Sequence, residues 1–251
     1  MMKTFRADLH VHTVLSPCAE VEMIPPLIVQ EALERKIDII AITDHNASAN
    51  VEAVQKAAEG SGLTVLPGME VQTHEDVHLL CLFVSLSDLK NWQQEIDLSL
   101  PDSLNQPEHL GEQFVVDETG EFIRNEPRLL LTATQLSIEE VLTKVTQLNG
   151  LVIPAHTDRS TFGLFPTLGF LAEWWNFPAL EISRHFTVNT LHEKFPSSKR
   201  LAVIQGGDVH RLNEFLGATL FEIATPTLSE IRMALLGENG RKAYLDRKVF
   251  A

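Results

Sequence analysis

The chain has 251 residues, 44% of them apolar and 22% charged, which excludes intrinsic disorder and supplies apolar surface for a sizeable core. Its 34 acidic residues against 20 basic leave a formal charge of −14; with so few cations we expect no extended nucleic-acid surface, although bound divalent ions would let one pocket take a small phosphorylated substrate. Two cysteines cannot build a disulfide framework, the start lacks a secretory apolar stretch, and no apolar run reaches the roughly 18 residues of a membrane helix, so a cytoplasmic protein with no membrane partner is expected.

Residues 5–13 read as a strand and 26–36 as a helix opened by a proline pair. IDIIAIT (37–43) is a continuous apolar run, hence a buried strand, followed by a helix over 47–60 and a strand over 63–73. Residues 137–148 form a helix capped by Ser137 with Glu140, and GLVIPA (150–155) is the next strand. Strands follow at 179–183, 201–205 and 219–224, and a helix at 227–236 closes the pattern. Repeated βα units with near-continuous apolar strands imply a parallel sheet covered by helices, and at this length a closed or distorted barrel is favoured over an open sheet. We read residues 1–251 as one domain. Residues 85–135 break the rhythm, with ten Asp/Glu against three Lys/Arg, three prolines, and Glu118-Thr119-Gly120 as a hairpin turn. This segment reads as an acidic surface insertion, and its hairpin is a candidate surface for a homo-oligomer.

Six of the ten histidines stand at strand ends beside carboxylates. In Asp8-Leu9-His10-Val11-His12 the two-residue strand period puts both imidazoles on one face, within reach of a common ion. His45 follows the second strand and Glu70 ends the third. In EVQTHEDVHLLCLF, Glu70 and His78 lie symmetrically about residue 74, so a hairpin there would set them opposite each other. His156 ends GLVIPA, and Asp208 and His210 repeat the period-two pattern after LAVIQ. Barrel strands bring their C-terminal ends to one rim. Six imidazoles and two carboxylates there exceed one four-ligand structural site and point to two or three ions with open positions. Asp8 and Asp44 sit beside these candidates and read as groups that orient an imidazole or a loop. Arg159, Arg184 and His185 lie just beyond strand ends, and the arginines suit phosphate contacts. Arg211 is placed similarly but can pair with Glu214.

DLHVH, ITDH, PGMEV followed by HLLCLF, PAH and GGDVH, in that order, resemble the ordered motifs of the PHP (polymerase and histidinol phosphatase) superfamily over most of the chain. The resemblance implies a distorted (β/α)7 TIM-like barrel, a trinuclear centre of zinc, manganese or iron, and phosphoester hydrolysis by a metal-bound hydroxide. It implies that His10, His12, Glu70 and Asp208 share one ion, that Glu70, His78 and His156 hold a second, and that His45 and His210 hold a third with a ligand from the loop after the first strand. Many relatives read S-D-G in that loop, where this chain has Ser16-Pro17-Cys18-Ala19-Glu20. Counting back from Pro25 favours Glu20, our preferred ligand. Counting forward from His12 favours Cys18, whose thiolate would suit zinc. A small phosphomonoester or nucleotide is the expected substrate. The alternatives are an exonuclease acting on short oligonucleotides and a metal-loaded binding scaffold without activity.

Overall fold

The computed structural model describes residues 1–246. Strand β1 (Lys3–Val11), helix α1 (Pro25–Glu34), β2 (Ile39–Ile42), α2 (Val51–Ala57) and β3 (Thr64–Gln72) alternate as expected. Continuous burial of β2 has a simple cause. Ile39 and Ala41 pack in one apolar cluster with Leu228 and Ile231, whereas Ile40 and Ile42 pack in another with Ile28, Val29 and Val54. A strand covered on both faces needs no polar positions.

From β3 the chain turns directly into β4 (His78–Leu82), then α3 (Leu86–Ser99), α4 (Pro107–Leu110), and the hairpin β5 (Phe114–Val116) and β6 (Phe122–Asn125). Helix α5 (Ile138–Gln147) begins at the expected capping box, in which the Ser137 amide donates to Glu140 Oε2 at 2.8 Å and Ser137 Oγ accepts from the Glu140 amide at 3.3 Å. It leads to β7 (Leu151–Pro154), α6 (Leu164–Leu168), β8 (Ala179–Ile182), α7 (Val188–Lys194), β9 (Ala202–Gln205), β10 (Thr219–Ile223), α8 (Leu228–Leu236) and β11 (Lys242–Leu245).

Seven strands form one curled sheet in the order β11-β10-β1-β2-β3-β4-β7. The parallel pair β8–β9 stands in the gap between β7 and β11. Side-chain and loop bonds link the pieces: the Thr157 amide donates to Glu181 O at 2.8 Å, and Thr219 Oγ1 donates to Gln205 O at 3.0 Å. The result is the distorted, TIM-like half-barrel expected of the fold. Its sheet is mixed, since β1, β2 and β3 are parallel while β4 and β10 run antiparallel to their neighbours. No helix among the described residues is long and apolar enough to cross a membrane.

Two readings are revised. The segment 85–135 is more than a surface insertion, because α3 buries Leu89, Trp92 and Ile96 in the main core. The expected turn does form, with the Gly120 amide donating to Asp117 O at 3.0 Å. The β3–β4 hairpin pairs Gln72 with His78, and Glu70 with Leu80. Its centre thus lies one residue later than expected, so the register moves by two. A two-residue shift keeps every side chain on its face, and Glu70 and His78 meet diagonally.

Candidate metal centre

The strand ends deliver a buried cluster. His10 and His12 come from the end of β1, Glu70 from β3, His78 from the start of β4, His156 from beyond β7, and Asp208 and His210 from beyond β9. Glu70 is central. Its Oε1 lies 2.8 Å from His78 Nδ1, 3.1 Å from His156 Nε2 and 3.3 Å from His10 Nε2, and its Oε2 lies 2.9 Å from His45 Nδ1. Asp208 Oδ1 is 3.2 Å from His10 Nε2, 3.4 Å from His12 Nε2 and 3.5 Å from His210 Nδ1.

The hydrogen bonds around the outside of the cluster decide which ring nitrogens face inward. His10 Nδ1 donates to Glu181 Oε2 at 2.9 Å, which leaves Nε2 as the lone-pair nitrogen. Ser16 Oγ spends its own hydrogen on Asp44 Oδ1 at 2.7 Å, so it accepts from His12 Nδ1 at 2.9 Å. His12 Nε2 therefore also points a lone pair inward. These two nitrogens stand 3.1 Å apart, close enough to share a proton or to bind one metal ion side by side. Glu70 Oε2, buried and without a hydrogen bond, is a further acceptor aimed into the cluster.

The electrostatics agree. Burial alone would disfavour a charged His10, but the carboxylates of Glu181, Glu70 and Asp208 raise its pKa well above the ordinary imidazole value. Burial opposes ionisation of Glu70, and the imidazoles of His78, His10 and His45 outweigh it, holding the carboxyl well below its usual range. Three groups have ligand atoms close enough to share an ion: His10 with His12 and Asp208, His45 with Glu70 and His78, and His12 with His45 and His210. Nitrogen and carboxylate donors of this kind fit zinc, manganese or iron.

Local backbone serves this convergence. His156 and Asp208 carry positive φ angles of 27° and 48°, a region costly for residues with a side chain. At the turn before Asp208 there is no room for side chains. A Cβ on Gly206 would lie 2.3 Å from Glu181 Oε1, and one on Gly207 2.5 Å from Val209 Cγ2. Asp8 fixes the neighbouring loops rather than an imidazole, accepting from the Gly207, Leu216 and Gly217 amides at 2.8–3.2 Å. Asp44 likewise holds the first loop through the Thr13 amide, Thr13 Oγ1 and Ser16 Oγ.

Glu20 is not in the cluster. Its carboxylate, half exposed, accepts from Arg211 Nε at 2.5 Å, because the Glu20 amide bonds to His210 O and the side chain leaves the cleft. Cys18 of the same loop lines the cleft beside His45 and His210 instead. Burial raises the thiol pKa, and these two imidazoles overcome that and bring it to about 6. Glu181 was missed by the sequence reading, although a lone carboxylate inside the apolar strand ALEI was a signal. It also accepts from the His156 amide at 2.9 Å.

A cleft of about 690 Å³ opens over the cluster. Arg159, Arg184 and His185 all line it. Arg159 is bonded to Asp208. Arg184 donates to Gly207 O at 2.9 Å and to Glu214 O, so its guanidinium braces the glycine turn. His185 is exposed on the outer wall. Phe162 stacks on His78 with ring centroids 4.4 Å apart and stays 37% exposed at the lip, at a φ of 62° that is an outlier for a bulky residue.

The chain matches the PHP domain family over residues 8–153. It is 31% identical over 85 residues to the 5'-3' exoribonuclease Rnm of Salmonella typhimurium, covering 32% of this chain and 28% of that protein. Its fold is similar to the lesion-specific endonuclease PfuEndoQ of Pyrococcus furiosus, with a TM-score of 0.73 at 19% identity over 96% of this chain and 58% of that one. It is also similar to endonuclease Q in complex with a 27-mer duplex bearing an abasic lesion at the active site, with a TM-score of 0.68. A two-domain Bacteroides vulgatus protein containing a predicted PHP-like metal-dependent phosphoesterase shares the fold with a TM-score of 0.54 at 17% identity, over 97% of this chain and 65% of that one. The chain thus spans well under two thirds of the exoribonuclease and of endonuclease Q.

These relatives overturn the expectation of no extended nucleic-acid surface. One is an exoribonuclease, and the fold carries a 27-mer duplex in another. The physical error was to let a formal charge of −14 speak for the cleft. Most of that charge lies elsewhere, since the cleft is lined by four carboxylates and three arginines, and cations bound at the cluster would reverse the local sign.

Proposed function

Since the chain belongs to the PHP domain family of metal-dependent phosphoesterases, we propose that its buried cluster cleaves phosphodiester bonds in a nucleic-acid strand. The convergence of the inward Nε2 atoms of His10 and His12 on Glu70 and Asp208 is the observation that carries this reading, because a buried set of imidazoles and carboxylates at that spacing suits divalent cations. His10, His12 and Asp208 would hold one ion, and Glu70 with His45, His78 and His156 another; zinc, manganese or iron suit them. Such ions supply Lewis acidity toward a phosphate and make water a nucleophile near neutral pH.

The protein's own part is orientation and charge. Glu181 fixes the His10 ring, and Ser16 with Asp44 fixes His12. Arg159 stands at the rim with its guanidinium on Asp208, where it can turn to a phosphate oxygen. Phe162 offers an aromatic surface at the lip, suited to a base adjoining the scissile phosphate. Support for a strand over a small ester comes from the exoribonuclease likeness and from a fold neighbour that takes duplex DNA.

The test is turnover by chelated and then manganese- or zinc-reloaded protein on a short single-stranded RNA, the matching DNA, and a nucleoside monophosphate. Metal-dependent release of nucleotides from an oligonucleotide is expected. Cleavage of the monophosphate alone would reject the nucleic-acid reading, and inertness of the reloaded protein toward all three would reject phosphoester hydrolysis.

A further inference from the structure

We propose that Phe162 determines specificity as a platform on which the nucleobase beside the scissile phosphate stacks, so that turnover depends on the base as well as on the phosphate. The inference rests on the nucleic-acid reading above and names the side chain that tells a nucleotide from a plain phosphodiester.

Phe162 breaks two local rules at once. A bulky residue at a φ of 62° is strained, and its ring stays 37% exposed although the chain has ample core to bury it. The surroundings enforce both. Its turn starts at His156, itself at positive φ, where the Arg159 amide donates to His156 O at 2.9 Å. It closes at Gly163, where a Cβ would lie 2.3 Å from Arg159 O. The turn is then tied to the sheet. The His78 amide donates to Phe162 O at 3.0 Å, and the Ala155 amide donates to His78 O at 2.9 Å.

So held, the phenyl ring lies nearly parallel to the His78 imidazole, with 2° between the planes, and one of its faces is covered. The rest borders the cleft, where it is the one phenyl, phenol or indole group among the described lining residues. His78 Nδ1 is in turn 2.8 Å from Glu70 Oε1, so a base laid on Phe162 is separated from the centre of the cluster by two side chains. The same turn carries Arg159, whose guanidinium sits on Asp208. One turn thus presents a ring for a base and a cation for a phosphate, the two chemically distinct parts of a nucleotide. Covering His78 alone would take only an aliphatic side chain, whereas a base needs a flat π-face.

The test crosses the ring with the base. Metal-reloaded protein is offered a short single strand and a counterpart of equal length built from abasic sugars throughout. The natural chain should turn over the base-bearing strand with a kcat/KM at least about tenfold higher, the size of one base–aromatic stack. Phe162→Leu keeps an aliphatic cover on His78 and should shrink that ratio below about threefold, mainly through KM, since stacking is already made in the bound ground state. Phe162→Tyr should keep the ratio. A readout free of turnover is photochemical: a strand carrying 5-iodouracil, irradiated on the natural chain, should crosslink to Phe162, located by mass spectrometry. Equal kcat/KM on the two strands, a ratio undiminished in Phe162→Leu, or crosslinks only at other residues overturns the platform and leaves phosphodiester cleavage standing. Equal losses on both strands in Phe162→Leu, with metal lost by elemental analysis, reduce the ring to a cover for His78 and overturn the platform too. Reloaded protein that cleaves neither strand overturns the nucleic-acid reading itself, and the platform with it.

Discussion

The floor of the cleft and its rim are built by different means. On the floor, His10, His12, Glu70 and Glu181 are buried and stand on or at the ends of strands, where the backbone ladder sets their spacing. Their polar atoms bond to each other and to buried neighbours such as Ser16, His78 and His156. On the rim, Arg159, Arg184 and Arg211 sit in loops, and each guanidinium has a protein acceptor: Asp208, two backbone carbonyls, and Glu20 with Glu214. On the function proposed above, the floor would carry the chemistry and the rim the recognition. Strands place the first to fractions of an ångström, and loops leave the second adjustable.

The largest effect should come from breaking the floor at its centre. Glu70→Gln keeps the shape but removes the charge that five imidazoles share, and kcat/KM should fall by more than about 10³-fold together with metal content measured by elemental analysis. Normal metal and turnover in that variant would remove Glu70 from the centre. One layer out, Glu181→Gln should cost about 10- to 100-fold in metal affinity or activity, because His10 loses the carboxylate that fixes its ring; equilibrium dialysis against zinc checks it. A rim change should separate from both. Arg159→Ala should lower kcat/KM on an oligonucleotide by about tenfold, the size of one charged hydrogen bond, with metal content unchanged. Smallest of all, Glu20→Ala breaks only a half-exposed ion pair, so thermal unfolding should register less than about 1 kcal/mol.

The floor was largely legible from the sequence because its rules are periodic. A two-residue repeat and a strand end suffice to gather His10, His12, Asp208 and His210, and even a wrong hairpin register left Glu70 and His78 facing each other, since the error was an even number of residues. Loops lack such a rule. Residue counting could not tell which of Cys18 and Glu20 turns inward, because the hydrogen bond from the Glu20 amide to His210 O decides it across a long sequence separation. Helix α3 was overlooked because its polar residues outnumber the apolar ones, although Leu89, Trp92 and Ile96 keep the helical spacing that buries them. Glu181 was hidden in the opposite way, as a charge inside a strand whose other residues read as plain core.

The segment 85–135 also changes how its role can be studied. Its hairpin and the turn at Gly111 clasp the first loop through Val14 and Pro17, while Trp92 is wedged into the main core. Excising it to ask whether it recruits another molecule would pull out a wall and slacken the Cys18 loop together, so lost activity would report collapse rather than lost recruitment. Single changes at Phe122 and Ile123, which face outward on β6, put that question without disturbing the masonry beneath.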